Sequence, residues 1–118
     1  TFRPFAPSVL KEKASEWFDE ATDSPFMLVT YNANKDKIKY MPAPVHVDGT
    51  ARIQTVDQST NPLYWNLIKQ FENKTGVPAL INTSFNESEP IVDTPKQALE
   101  TFKRTNIDVL VMGNYVIK

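Results

Sequence analysis

The chain has 118 residues, a length that favours one domain with a substantial hydrophobic core. It is 41% hydrophobic and 23% charged, and its net charge of −1 argues against a broad nucleic-acid-binding surface. No apolar run approaches the roughly 18 residues that span a bilayer, and no signal-peptide pattern is present. The absence of cysteine excludes disulfides, thiolate zinc sites and cysteine nucleophiles, and it fits the cytoplasm, where we expect the protein.

The first 32 residues predict a helix followed by a strand. Pro4 and Pro7 favour an extended entry, and Ser8 is placed to cap a helix that runs to about Ala21. The apolar side chains of this segment recur at the spacing of one helical face. Residues 26–32 are rich in the residue types of a short strand.

Residues 33–56 predict a charged loop and then an interrupted strand. The lysines of residues 33–41 are more typical of a solvated loop than of a binding patch. Residues 44–56 alternate between apolar and polar side chains, as a strand does, and Asp48-Gly49 interrupts them with a turn or bulge signal.

A second helix is bracketed by Pro62 at its first position and Gly76 just past its end. Residues 77–84 predict a strand that runs directly into a polar cluster. The stripe of the helix that we expect to be buried contains four residues, Leu63, Leu67, Ile68 and Phe71.

The last third of the chain predicts a helix and a buried strand. Thr94 and Gln97 have capping-box spacing, and the helix that follows is expected to turn its apolar residues Ala98, Leu99 and Phe102 inward. Residues 108–113 predict a buried strand, and residues 114–118 predict its continuation or a second strand. Interleaved helices and strands indicate the α/β class, or α+β, with a mixed sheet in one domain over residues 1–118.

Four short polar side chains crowd the end of the strand at residues 77–84. They are Asn82, Thr83, Ser84 and Asn86. Hydroxyl and amide groups beyond the carboxyl end of a strand can cradle a phosphate or a planar amide. The alternative is an Asx or Ser/Thr turn whose side chains satisfy their own backbone.

Three more residues are candidates for a site. Arg52 follows two small residues, and its fork of donors suits phosphate or carboxylate oxygens; the alternative is an exposed strand arginine paired with a glutamate. Strand spacing places His46 and Asp48 on one face, which invites a metal or acid–base interpretation. With one histidine in the chain, structural use or an aspartate that orients a neighbour is favoured, and no metal site is expected. Three glycines and no nucleophile-elbow motif argue against a self-contained hydrolase.

The motifs "FRPFAPSVL", "HVDGTARIQTV", "GVPALINTSFN" and "DVLVMGNYV" occur in order along the chain. Together they resemble the C-terminal region of the O-carbamoyltransferase family, which includes nodulation-factor and antibiotic-tailoring enzymes. The resemblance covers essentially all 118 residues.

The resemblance implies a YrdC-like α/β domain that uses ATP, with Mg²⁺ as counter-ion, and carbamoyl phosphate to make carbamoyladenylate. It implies that an N-terminal actin-like domain of the same parent chain transfers the carbamoyl group to a hydroxyl of a small molecule. Iron or another metal is implied only in that other domain. Neither nucleic acid nor a membrane is an expected partner.

The resemblance also implies roles for individual residues. Arg52 matches the arginine of the family signature, and Ser84 and Asn86 match its Ser-x-Asn element, so these three are the implied catalytic residues. Asn82 and Thr83 are expected to bind substrate or nucleotide, or to shape the loop. His46 and Asp48 are expected to contact the residues that bind the ligand, and not the ligand itself.

Two departures from the family pattern affect these expectations. The family's signature lysine lies upstream of "FRPFAP", so the chain is expected to be a piece of a longer protein, truncated at its N-terminal side. Glu87 follows Asn86 where many members have a glycine before the Glu-Pro pair. The alternative function is therefore a non-catalytic nucleotide-binding or domain-docking module that is inactive as an isolated fragment.

Overall fold

The structure is a computed structural model that describes residues 6–27, 29–41, 45–46, 48–83 and 91–118. The chain divides into two compact units, Thr1–Thr83 and Ser84–Lys118. Helices and strands occur in both units, which confirms the predicted α/β class. The single domain over residues 1–118 stays a prediction.

The first unit begins with strand β1 (Ala6–Leu10), a short 3₁₀ turn (Lys11–Lys13) and helix α1 (Ala14–Trp17). The rest of this unit contains β2 (Thr30–Asn32), a 3₁₀ turn (Ile38–Tyr40), β3 (Thr50–Arg52), β4 (Gln54–Val56), α2 (Pro62–Thr75) and β5 (Ala79–Asn82).

Strand β1 is the centre of a three-stranded sheet in the order β4-β1-β5. It pairs in parallel with β4, where Ser8 lies opposite Gln54, and antiparallel with β5, where Val9 lies opposite Ala79. This confirms the predicted mixed sheet. Strands β2 and β3 form a separate antiparallel pair in which Thr30 lies opposite Arg52.

The predicted helix from Ser8 to about Ala21 is wrong at both ends, since β1 occupies Ala6–Leu10 and only Ala14–Trp17 is α-helical. All five residues of β1 are buried, which suits a central strand that is covered on both faces. Pro7 fits because pairing with β4 starts only at Ser8, so the missing N–H of the proline is not needed on that side.

Two hydrophobic cores lie on opposite faces of this sheet. Val9 and Ala79 pack on one face with Ala51 and Ile53, together with Trp17 and other buried residues that precede β3. Leu10 and Val56 pack on the other face beneath Ile68 of α2. Side chains alternate between the faces of a strand, so each strand contributes to both cores.

Helix α2 has the predicted bounds, because Pro62 begins it and Gly76 ends it in the left-handed conformation. Its predicted buried stripe is wrong for three of its four residues. Ile68 is buried, whereas Leu67 and Phe71 are exposed and Leu63 is 85% exposed.

The helix is rotated about its axis relative to the predicted orientation. Tyr64 and Trp65 accompany Ile68 against the sheet, and the indole Nε1 of Trp65 donates a hydrogen bond of 2.9 Å to Glu12 Oε1. Both apolar stripes have helical spacing, so the pattern alone does not decide which one packs.

The predicted strand over residues 26–32 is confirmed only for Thr30–Asn32. Met27 has a φ of 56°, in the left-handed region, and this conformation interrupts a strand before β2 begins. Leu28, within the predicted strand, lies outside the described residues.

The second unit contains α3 (Pro95–Arg104) and an antiparallel pair, β6 (Leu110–Met112) and β7 (Tyr115–Ile117). The capping box is confirmed: Thr94 accepts a hydrogen bond from the Gln97 backbone, and the Gln97 side chain returns one. Residues 114–118 therefore supply a second strand. The predicted burial of residues 108–113 is confirmed only for Leu110.

An ion-pair cluster lies just past the carboxyl ends of the parallel strands β1 and β4. Lys11 Nζ lies 3.2 Å from Asp57 Oδ2 and 3.7 Å from Asp23 Oδ2. Hydrogen bonds from the backbone N–H and the hydroxyl of Ser59, and then the one from Lys11, lower the pKa of Asp57. The hydrogen bond to Asp57 raises the pKa of Lys11.

None of the described helices combines the length and apolar character that crossing a bilayer requires.

We predict that Gly76→Ala lowers the free energy of unfolding by about 1–2 kcal/mol, because a Cβ is unfavourable at a left-handed φ. The φ of Gly76 is 79°, and a Cβ there would meet no atom within 4 Å, so the cost is one of backbone conformation alone. Urea denaturation measures it. Gly76→Asn is the control and should cost less, since asparagine tolerates this region. Equal stability of Gly76→Ala and wild type would contradict the prediction.

We predict that Asp57→Asn destabilises the chain at neutral pH and that the difference from wild type disappears in acid. The lowered folded-state pKa means that the contribution of Asp57 is present above 3.8 and is lost as pH falls through that lowered pKa. Denaturation midpoints measured from pH 7 downwards test this. Asp36→Asn, in an exposed turn, is the matched control. A difference independent of pH would rule the mechanism out.

Candidate functional site

The segment from β3 to β4 places Arg52 and Gln54 on the same side. Ala51 and Ile53 are fully buried in one core, whereas Arg52 is exposed and Gln54 is half-buried, so the alternation continues across the break between the strands. Arg52 ends β3 and Gln54 begins β4, with the buried Ile53 between them, so the two residues are close in the chain but belong to different sheets.

Gln54 is the centre of a hydrogen-bonded group on the sheet face that also carries Leu10 and Val56. Its Oε1 accepts a bond of 2.9 Å from Ser8 Oγ and one of 2.8 Å from Asn82 Nδ2. Its Nε2 donates to the Pro25 carbonyl at 3.3 Å. We call Ser8, Gln54 and Asn82 the amide cluster.

The amide cluster lies where β5 ends. Asn82 is the last residue of β5 and lies opposite Ala6, and Thr83, which follows, is exposed. The chain then continues into Ser84 and Asn86, which lie outside the described residues. Of the predicted polar group, the structure thus positions Asn82 and Thr83.

Arg52 is the last residue of β3. Its side chain is exposed, and among the described residues it has no ion-pair partner within 4 Å. The exposed strand arginine paired with a glutamate, the alternative considered from sequence, is not seen in the described part of the chain. A guanidinium that is not neutralised by a carboxylate is available to oxyanions.

His46 and Asp48 are joined in a tight turn by Thr50. The hydroxyl of Thr50 donates to Asp48 Oδ1 at 2.7 Å, and its backbone N–H donates to the same oxygen at 3.0 Å. These bonds, the hydroxyl first, hold the pKa of Asp48 below 3.8. The backbone N–H of His46 donates to the Thr50 carbonyl at 2.7 Å, which closes the turn.

The hydrogen bonds of this turn determine which nitrogen of His46 carries the proton. Thr50 Oγ1 lies 3.2 Å from His46 Nδ1 and has one proton, which goes to the Asp48 carboxylate. The hydroxyl oxygen must therefore accept a hydrogen bond from Nδ1–H. In the neutral ring this leaves Nε2 as the unprotonated nitrogen.

Strand β3 links the turn of His46 and Asp48 to Arg52 along the chain. Thr50, which holds the turn, and Arg52 are two apart on the strand, on the side opposite the buried Ala51. Gln54 of the amide cluster follows Arg52 by two residues, at the start of β4. Among the described residues no group of three or more His, Cys, Asp or Glu side chains is placed to hold a metal ion.

Sequence reasoning missed two members of the amide cluster, Ser8 and Gln54. Gln54 has a signal, since strand alternation across residues 50–56 predicts that it lies on the side opposite the apolar Ile53, as Arg52 does. Ser8 has none, because its burial and its bond to Gln54 depend on the pairing of β1 with a strand 46 residues away.

Comparisons with known proteins support a relationship over the whole chain. A sequence model of the family described as carbamoyltransferase C-terminus matches residues 1–118. The chain is 49% identical to nodulation protein NolNO of Sinorhizobium fredii over 99% of this chain and 18% of that protein. It is 45% identical to nodulation protein NolO of Bradyrhizobium diazoefficiens over 100% of this chain and 22% of that protein.

A more distant relative extends the range of organisms. The uncharacterized protein MJ1058 of Methanocaldococcus jannaschii is 38% identical over 99% of this chain and 19% of that protein. The chain therefore spans about a fifth of the length of these curated relatives.

We predict that the neutral ring of His46 is protonated at Nδ1. Because the chain has one histidine, a long-range ¹H–¹⁵N NMR spectrum contains the signals of this ring alone. Thr50→Val removes the bridging hydroxyl and should lower the Nδ1–H population. Thr30→Val, on the neighbouring strand β2, is the matched control. A spectrum in which wild-type His46 is protonated at Nε2 would contradict the prediction.

Proposed function

Because the chain belongs to the carbamoyltransferase C-terminus family, we propose that it contributes the site that makes carbamoyladenylate from ATP and carbamoyl phosphate. The overall reaction consumes one water and releases phosphate and pyrophosphate, so that the carbamoyl oxygen joins the α-phosphorus of AMP. Among the described residues, we assign to this chemistry the exposed guanidinium of Arg52 and a set of neutral hydrogen-bonding groups.

One observation carries the proposal. Asn82 donates to Gln54 across the sheet at 2.8 Å, and Gln54 begins β4 two residues after Arg52 ends β3. A cation for phosphate and a carboxamide for a planar amide thus belong to neighbouring parts of the first unit. Carbamoyl phosphate contains both chemical groups, an oxyanion and a primary amide.

Each proposed residue has a distinct task. The guanidinium of Arg52 faces the charge that develops as pyrophosphate leaves, and loss of such a donor reduces rates by roughly 10²–10³. Ser84 and Asn86 bind the carbamoyl and phosphate oxygens, and Thr83 shapes the loop. Mg²⁺ enters with ATP and neutralises its phosphates.

The second half of the reaction is proposed to belong to the rest of the parent protein. The chain spans about a fifth of its curated relatives, which leaves room for another domain. We propose an actin-like domain that holds a metal and transfers the carbamoyl group to the hydroxyl of a small molecule. Contacts to that acceptor then lie outside this chain, as does the signature lysine.

We predict that ATP–Mg²⁺ binds saturably to the chain and that Arg52→Ala and Ser84→Ala each weaken binding about tenfold or more, since a charge-assisted hydrogen bond contributes roughly 1.5–3 kcal/mol. Isothermal titration calorimetry measures the affinities. Lys35→Ala removes a positive charge from an exposed turn and is the control for Arg52. Ser15→Ala, on the exposed side of α1, is the control for Ser84.

The pattern of binding separates the proposal from its alternative. Loss in both variants, with the controls unchanged, supports a nucleotide site in this chain. Binding only by the whole parent protein would favour a non-catalytic module that completes a pocket built elsewhere. A parent protein that also fails to bind ATP would overturn the proposal.

A further inference from the structure

The Pro25 carbonyl fixes the orientation of the Gln54 side chain. A backbone carbonyl accepts hydrogen bonds and never donates them, so the atom of Gln54 that faces it at 3.3 Å must be the Nε2 amide nitrogen. The reversed side chain would set two acceptors against each other. With Nε2 directed at Pro25, Oε1 is directed at Ser8 and Asn82.

Gln54 in turn fixes the orientation of Asn82. Because Oε1 of Gln54 is an acceptor, Asn82 presents its amide nitrogen, Nδ2, at 2.8 Å. The same nitrogen lies 3.9 Å from the Met27 sulfur, a weak acceptor. Both hydrogen bonds described for Asn82 therefore use Nδ2. Its carbonyl oxygen, Oδ1, is on the other branch of the planar carboxamide and points away from Gln54.

Ser8 makes this arrangement rigid. Its side chain is fully buried in the central strand, and its hydroxyl donates to Gln54 Oε1 at 2.9 Å. The two acceptor positions of that oxygen are thus both used, one by Ser8 and one by Asn82. Rotation of the Gln54 carboxamide would break three hydrogen bonds and rotation of the Asn82 carboxamide two, so the direction of Asn82 Oδ1 is set before any ligand arrives.

We propose that Asn82 is a specificity determinant whose Oδ1 accepts a hydrogen bond from the NH₂ group of the carbamoyl ligand, and that Gln54 is the positioning residue that keeps this acceptor outward. The inference rests on the proposed function, since it names the group of carbamoyl phosphate that this end of the site recognises. A fixed acceptor favours an N–H donor and disfavours a methyl group of the same size.

Acetyl phosphate is the probe that isolates this contact. It has the phosphate and carbonyl of carbamoyl phosphate but a methyl group in place of NH₂. A single neutral hydrogen bond, together with the cost of leaving an acceptor unpaired, corresponds to about a tenfold preference. Calorimetric titration of the chain with each phosphate gives the ratio of the two dissociation constants.

Three variants test the roles of Asn82 and Gln54. Asn82→Leu removes the acceptor, so the preference for carbamoyl phosphate should fall to near one while acetyl phosphate still binds. Gln54→Met keeps the side-chain length but releases Asn82 to rotate, and the preference should fall as well. Gln54→Glu loses the hydrogen bond to the Pro25 carbonyl but keeps an acceptor towards Ser8 and Asn82, so the preference should persist even though the added negative charge weakens binding of both phosphates.

Matched controls lie on the exposed side of α2. Asn66→Leu and Gln70→Met make the same chemical changes away from the amide cluster and should leave the preference unchanged. Circular dichroism checks that each variant is folded. If Asn82→Leu does not fold, Gln54→Met and Gln54→Glu decide the question, because their opposite effects on the preference are not expected from a general loss of stability.

The outcomes separate this inference from the proposed function. A preference of about tenfold that is lost in Gln54→Met and kept in Gln54→Glu supports the inference. Equal binding of the two phosphates by wild type overturns it and leaves the phosphate site intact. A preference that survives in Gln54→Met overturns the positioning role. Failure of both phosphates to bind overturns the proposed function, and this inference with it.

Discussion

The pairing of β1 on both of its edges is the constraint on which the first unit depends. All five side chains of β1 are buried, so the backbone N–H and C=O groups of the strand need partners other than water. They find them in β4 on one edge and in β5 on the other. Side chains on one face of the strand pack in the core that contains Trp17, and those on the other face pack in the core beneath α2. Because the polar side chain of Ser8 is carried into this setting, it must have a partner, and Gln54 supplies it.

The face of the sheet beneath α2 is divided between two kinds of interaction. Towards the carboxyl end of β1, Leu10 and Val56 meet Ile68 and water is excluded. Towards its amino end, the same face carries the neutral amides and the hydroxyl of the amide cluster. Such groups can be half-buried at small cost when they are paired with one another.

Local signals in the sequence predicted the helices whose ends carry a proline, a glycine or a capping box. Pro62, Gly76 and the Thr94 capping box fix helix bounds through backbone groups a few residues apart, so no tertiary information is needed. The buried stripe of α2 was not predictable in this way, because its orientation is set by the sheet and by the distant Glu12 that accepts from Trp65.

The candidate site divides along the same line. Arg52 and the polar residues around Asn82 are candidates from residue type and from the family resemblance, and their roles stay predictions. The hydrogen bonds that join Ser8, Gln54 and Asn82 were not predictable, since they require knowing that β1 is a strand and that β4 and β5 lie beside it. A serine before an apolar stretch is equally typical of a helix cap and of a strand with one polar contact, and only the strand pairing distinguishes the two.

The parallel pairing of β1 with β4 also has a consequence for how the first unit folds. Ser8 and Gln54 are 46 positions apart in the chain, and β5 lies further along the chain still. Contacts of such long range form slowly, because the entropy of closing the loop is lost before the pairing is gained. Until then β1 has two open edges and an apolar composition. During synthesis β1 can therefore pair with a strand of another chain until β4 and β5 are in place.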